Sequence, residues 1–190
     1  MKAYKPYIIL FSLFILISFL LPLFSFEGYS ILQNTTSHLG AQKAPLNWLM
    51  NGSFIALGIV TFVYGKTKTE NYPIAKIMIY FFSFSLIGVG LFTHRPLTGE
   101  PANLTLDVFH SVFATATGFS FSFFALVLFY IFVKPFDKYL ALTLALAAII
   151  IPINMSLFPA IQGLLQRFMF IIAFSWILYA FQRLDQLENE

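Results

Sequence analysis

The sequence predicts an all-α fold: a polytopic transmembrane bundle of six helices, with residues 1–190 forming one integral membrane domain and both termini cytoplasmic. Three observations predict it. The chain is 59% hydrophobic and only 10% charged, against about 25% charged residues in ordinary soluble domains. Several apolar runs reach about 18 residues or more, the length a helix needs to cross a bilayer. The basic residues also divide unevenly between the two sides that such helices would create.

The first run is Tyr7–Phe24, behind Lys2 and Lys5. A basic start and an apolar run also suit a signal peptide. This run is long, however, and Phe24-Ser25-Phe26-Glu27 offers no small-x-small cleavage pattern, so it reads as a retained helix. A polar segment follows, Glu27–Pro45. Helix two is expected over about 46–64, with Pro45 suited to its start. A short basic loop, Gly65–Pro73, leads into helix three, about 74–92. The stretch His94–His110 is the richest polar run in the chain, and Pro96, Gly99 and Pro101 forbid a continuous helix through its first half. Its residues 94–103 suit either a lid or a passive turn. Helix four is expected over about 104–133, longer than a bilayer requires. The basic loop Lys134–Lys138 precedes helix five, about 139–154, with Pro152 at its end. Helix six is about 160–181, and a polar tail, Gln182–Glu190, is expected to fray.

Charge sets the orientation. With the N-terminus inside, the inner side holds Lys2, Lys5, Lys66, Lys68, Lys76, Lys134, Lys138 and Arg183. The outer side keeps Lys43, Arg95 and the embedded Arg167, so eight basic residues face three. Short cytoplasmic loops carry such an excess. All three histidines, with Ser37, Asp107 and Arg167, then belong to the outer side of a cell-membrane protein. The net charge of +3 reads as a topology signal rather than a nucleic-acid footprint, because no basic patch carries interleaved aromatics. With no cysteine, disulfides, thiolate metal sites and a cysteine nucleophile are excluded.

Asp107 and His110 are three apart on a helix and share a face. A carboxylate beside a histidine orients the ring and raises its basicity, so the pair is the candidate catalytic acid/base. The bland alternative is an acid favoured by the helix dipole and a histidine at the wet interface. His94, Asp107 and His110 are also the candidate ligands for a divalent metal, though their spacing is not diagnostic. Arg167 lies about seven residues into helix six, where a charge is costly unless paired or hydrated. It is expected to face inward, toward Asp107 or a polar cavity, with Gln162 and Gln166 nearby. Gly163, four residues earlier, leaves room for a neighbour. Alternatively an Arg167–Asp107 pair would merely lock two helices. Ser37 and His38 complete the candidate ligand-binding set with His94, Gln166 and Arg167. Neither a Gly-x-Ser-x-Gly elbow nor a His-Glu-x-x-His motif is present. The pair Asn47 and Asn51 and the row Ser111, Thr115, Gly118 and Ser122 read as close-packing surfaces.

Ser37-His38-Leu39-Gly40-Ala41, followed by Pro45, Trp48, Asn51 and Gly58, resembles the first signature of domain-of-unknown-function family 998. Gly88-x-Gly90, Asp107-x-x-His110 and Gly163-x-x-Gln166-Arg167 resemble the same family's pattern. The resemblance implies a prokaryotic membrane protein of about six helices. His38 departs from the acidic or polar residue expected there. No reaction is implied.

Three functions are compatible with these residues. One is the handling of a membrane lipid or small amphipathic molecule at the outer leaflet, with Arg167 on an anionic head group. Another is a membrane-embedded hydrolase or transferase using Asp107 and His110, with or without a metal. The third is a structural or accessory subunit, whose polar residues only fix helix packing.

Overall fold

The computed structural model describes residues 4–97 and 99–187. Lys2, Thr98 within the 94–103 stretch, and the last three residues of the tail lie outside the described residues. The described chain is all helical. In order it runs α1 (Lys5–Leu20), a 3-10 turn (Leu21–Phe24), the single-turn α2 (Thr36–Leu39), α3 (Asn47–Lys68), α4 (Pro73–Leu91), α5 (Leu104–Ile131), α6 (Pro135–Leu157), a 3-10 turn (Pro159–Ile161) and α7 (Gln162–Leu187). Among the described residues, six segments are long and apolar enough to cross a membrane: α1 with its 3-10 turn, α3, α4, α5, α6, and α7 with its own.

The helices form a closed sequence of neighbours. α1 packs on α3, α3 on α4, α4 on α5, α5 on α6 and α6 on α7, while α7 returns to α1 and α3. Aromatic rings fill the centre. Phe174 of α7 is fully buried and meets Phe11 and Phe14 of α1, Phe82 of α4 and Phe170 one turn away. Between hydrocarbon and hydrocarbon there is no hydrophobic drive, so close packing and polar contacts must hold membrane helices together. α3 and α4 use glycine for this. A Cβ at Gly58 would lie 2.8 Å from the Ser83 carbonyl oxygen, and one at Gly90 would lie 2.5 Å from that of Asn51.

Polar clamps close the end that carries both termini. The Tyr4 hydroxyl donates to Asp185 at 2.5 Å and Lys68 pairs with Asp185 at 2.8 Å, which joins α1, α3 and α7. Asp137, 3% exposed, ties α6 to α7. It accepts from the Tyr179 hydroxyl at 2.5 Å and from Arg183 Nε at 2.8 Å, with Arg183 Nη2 at 2.7 Å.

Several helix boundaries differ from those expected. α6 begins at Pro135, so the basic loop 134–138 is mostly its first turn. Proline fits there because the first-turn N–H groups have no intrahelical partner. α6 also continues through Pro152 to Leu157. α7 extends to Leu187, and residues 182–187, expected to fray, are held by the Arg183 and Asp185 pairs.

Replacing Asp137 with alanine strands Arg183 and Tyr179 in a mostly buried position. Breaking such a pair from one side costs about 3 kcal/mol. SDS-induced unfolding in mixed micelles should report a loss near that size.

Candidate functional site

Arg167 is 2% exposed, and it faces inward as expected. Its partners are not the expected ones. Nε donates to the Ser18 carbonyl at 3.1 Å; Nη1 lies 3.0, 2.9 and 2.9 Å from the carbonyl oxygens of Ile31, Asn34 and Gly163; Nη2 donates to the Tyr29 hydroxyl at 2.7 Å. Among the described residues no carboxylate pairs with it. The guanidinium is solvated by protein oxygens instead of by a counter-charge.

The local sequence explains each acceptor. Pro22 lies four residues after Ser18 and has no N–H, so the Ser18 carbonyl lacks the donor a continuing helix would supply. Arg167 takes that place. Gly163 lets the polar segment approach: a Cβ there would lie 2.3 Å from the Asn34 carbonyl oxygen and 2.6 Å from that of Ile31. The Leu32 carbonyl accepts from the N–H groups of Gly163 and Leu164, at 2.8 and 3.2 Å, which caps the start of α7. Burial pushes the Tyr29 phenol up, with the nearby Arg167 charge opposing, so Tyr29 stays a neutral donor to the Asn34 and Thr35 carbonyls.

The same segment enters α2. Thr35 and His38 form a reciprocal capping box in which His38 does the work usually given to Glu or Gln. His38 Nδ1 accepts from the Thr35 N–H at 3.2 Å, so the proton of the neutral ring sits on Nε2. Next to Thr35 and Thr36, Gln166 Oε1 accepts from the Thr36 N–H at 2.8 Å and from its hydroxyl at 2.7 Å. Gln166 and Arg167, adjacent on α7, thereby dock α2 and its preceding loop.

The three histidines are brought together. The His38 and His94 rings are 5.1 Å apart and the His94 and His110 rings 5.6 Å apart, both edge to face. Their nitrogens have separate duties. His94 Nδ1 meets the Arg95 carbonyl at 2.9 Å. His110 Nδ1 meets the Val89 and Phe92 carbonyls at 3.1 and 2.8 Å, which satisfies the C-terminal end of α4. Asp107 accepts from the Arg95 N–H at 2.8 Å and faces His94 Nε2 at 3.9 Å, an ion pair when that ring is protonated. Asp107 and His110 share a helix face, yet they reach separately, His110 to the last turn and end of α4 and Asp107 to the chain that follows it. Among the described residues no group of three or more His, Asp or Glu side chains is arranged to hold a metal ion.

The described part of residues 94–103 is strapped down. The Gln42 N–H donates to the His94 carbonyl at 2.8 Å, its side chain bonds both the N–H and the carbonyl of Asn103, at 2.8 and 3.0 Å, and Lys43 pairs with Glu100 at 2.9 Å.

Below this polar layer lies a cavity of about 520 Å³ between α4, α5, α6 and α7, with Ser37 and Gln166 at one end. Its walls include Phe82, Leu86, Phe121, Leu144 and Phe170. Phe119, Ile149 and Ile153 also line it and are more than two-fifths exposed on the helical surface, so the cavity opens sideways. Thr115, Gly118 and Ser122, the row that read as a packing surface, face this space. A Cβ at Gly118 would meet nothing within 4 Å.

The chain belongs to the family described as Protein of unknown function (DUF998), whose model matches residues 9–182. No curated protein and no solved structure matches it.

Tyr29, Thr36, Gln42 and Pro22 carry much of the site and have no motif to announce them. Only Pro22, spaced four residues from Ser18, leaves a trace in the sequence.

Two measurements test the layer. Arg167→Lys keeps the charge and loses the fork, because an ammonium cannot span Ser18, Ile31, Asn34 and Tyr29 together. A stability loss of about 3 kcal/mol is expected, with faster hydrogen exchange over residues 29–39 and little change in α3 and α4. His38 titrates at about 4, against an ordinary value near 6.5, first because of burial and then because of His94, His110 and Arg167. The unfolded chain therefore takes up a proton that the folded chain refuses. Stability should fall as pH drops from 6.5 toward 4. His38→Gln keeps an acceptor for Thr35 and should flatten that slope.

Proposed function

We propose that the protein binds one amphipathic molecule from the membrane, with the hydrocarbon chain in the α4–α7 cavity and the polar end at Ser37 and Gln166. The cavity is the observation that carries this reading. It falls within the ~300–1,000 Å³ range of small-molecule sites, and its wall is hydrocarbon apart from a few hydroxyls and one amide. Its sideways mouth gives a lipid a path that never crosses water.

The outer leaflet is the side we assign to it. Lys5, Lys66, Lys68, Lys76, Lys134, Lys138 and Arg183 lie at the end of the bundle that carries the termini, and the cavity's polar end is opposite. That distribution supports cytoplasmic termini.

A hydrolase or transferase built on Asp107 and His110 has less support, because the two do not pair with each other: Asp107 Oδ1 accepts from the Arg95 N–H and faces His94, while His110 Nδ1 is given to the Val89 and Phe92 carbonyls. Arg167 acts in this reading as a positioning residue. Each of its three nitrogens donates to protein oxygens, and beside Gln166 it helps to set the cavity's polar end.

Gly118→Leu fills open space rather than displacing a neighbour. Mass spectrometry of protein purified in mild detergent should find a co-purifying lipid-like molecule in the native protein. At least tenfold less should accompany Gly118→Leu at unchanged melting temperature. Equal amounts in both would overturn the reading.

A further inference from the structure

The cavity's polar end contains no charge, and this bears on the chemistry of its ligand. None of the side chains lining it is Lys, Arg, His, Asp or Glu. The charges nearby are engaged elsewhere: Arg167 by five protein oxygens, Asp107 by Arg95 and His94, and Lys43 by Glu100. What remains is a set of neutral hydrogen-bonding groups. Because the Thr36 N–H needs an acceptor, Gln166 must turn Oε1 toward it, and this leaves the Nε2 hydrogens on the other side. Among the described residues no protein acceptor meets Nε2. Ser37 is nine-tenths buried, lines the cavity, and has no protein partner for its hydroxyl among the described residues. The Thr115 hydroxyl also lines the cavity and has no protein partner among the described residues, though Thr115 is exposed, whereas those of Thr117 and Ser122 are given to the carbonyls of Phe113 and Gly118.

Resting on the lipid-binding reading above, we infer that the ligand is an uncharged single-chain amphiphile whose head carries an ester, amide or alcohol oxygen. Two amide hydrogens and a buried hydroxyl match a carbonyl oxygen, and the hydroxyls also accept from an alcohol. A phosphate or sulfate there would surrender its hydration with no charged side chain in the cavity's lining to pair with it directly, which costs several kcal/mol in a low-dielectric site. The positive charge of Arg167 favours the oxygen end of a ligand dipole, but Arg167 does not line the cavity, and its Nε, Nη1 and Nη2 already donate to protein oxygens. Size limits the ligand. At about 520 Å³ the cavity lies in the ~300–1,000 Å³ range of sites that take one small molecule.

Three hexadecyl-chain probes carrying the same chain diazirine, with an N-(2-hydroxyethyl)amide, a sulfate or a phosphate head, separate the possibilities. Each is photolysed with the full-length protein in mild detergent and the labelled peptides are mapped. The amide probe should label the cavity segments of α5, α6 and α7 at least tenfold more than either anionic probe. Ser37→Ala, which leaves the docking of Thr36 intact, should lower that labelling severalfold. Ser37→Ala should melt as the native protein does; Gln166→Glu keeps an acceptor for Thr36 but removes the two amide hydrogens and should lower labelling likewise, compared at equal folded fraction because its carboxylate alters stability. Anionic labelling of the cavity equal to that of the amide would overturn the neutral head group and leave lipid binding standing. Amide labelling unchanged in both variants would also overturn it. Failure of all three probes to label the cavity would overturn the lipid-binding reading itself.

Discussion

The fold at the histidine end depends on one buried cation. Arg167 has no counter-ion, and in hydrocarbon it would be costly by several kcal/mol. Here its cost is offset by carbonyl oxygens that have their own deficit. The segment between α1 and α2 is irregular backbone, and irregular backbone near a bilayer must find internal hydrogen-bond partners. The Ser18 carbonyl is orphaned by Pro22, and those of Ile31 and Asn34 belong to no helix ladder. The guanidinium needs acceptors and the loop needs donors. Each makes the other tolerable, and Gly163 makes their approach sterically feasible. Gln166 adds the neighbouring contact to Thr36, so a single turn of α7 fixes the whole first polar segment.

The histidines follow the same logic. A short helix needs its N-terminal donors met, and His38 supplies a cap for α2. α4 ends in carbonyls without partners, and His110 supplies a donor from α5. Asp107 supplies an acceptor for the next free N–H, that of Arg95. In a chain with so few polar side chains, those present act as joints between helix ends. Their gathering into one row of rings follows from the helix ends being gathered there. A cluster of histidines in a membrane protein is therefore not by itself a sign of metal chemistry.

The six spans were legible because a run of about twenty apolar residues has few other outcomes. Boundaries were less so. Pro152 stays inside α6, since a membrane helix tolerates a missing bond where a soluble one would end. The tail's first turns are helical because Arg183 finds Asp137, forty-six residues earlier, and no local pattern reveals that pairing. Arg167 stood out in the sequence, and its inward orientation with it. Its partners did not, because a charge in a sequence invites a search for the opposite charge, while backbone carbonyls have no letter of their own. Thr115, Gly118 and Ser122 read as a packing face for a similar reason. Small residues on one helix permit a neighbour to come close, but whether it does is decided by the other helix. α6 is clamped to α7 near its start by Asp137 and is joined to it again by the short turn after Leu157. Between those ties it stands away from Gly118.

That separation constrains how the cavity can discriminate among ligands. Its walls are as apolar as the lipid outside, so moving a chain from bilayer to cavity changes the free energy little. The hydrophobic effect that fills an apolar pocket in a water-soluble protein is nearly absent. Shape can limit chain length and number, but preference among amphiphiles of similar chain must come from hydrogen bonds at the polar end. In such a medium, a site built to hydrogen-bond discriminates strongly against a ligand that leaves its polar groups unpaired. The Gln166 amide and the Ser37 hydroxyl are held in place by the Arg167 clamp, through Thr36 and the turn of α2. On the proposed reading, the selectivity of the cavity among α4–α7 would thus depend on a cation that does not line it.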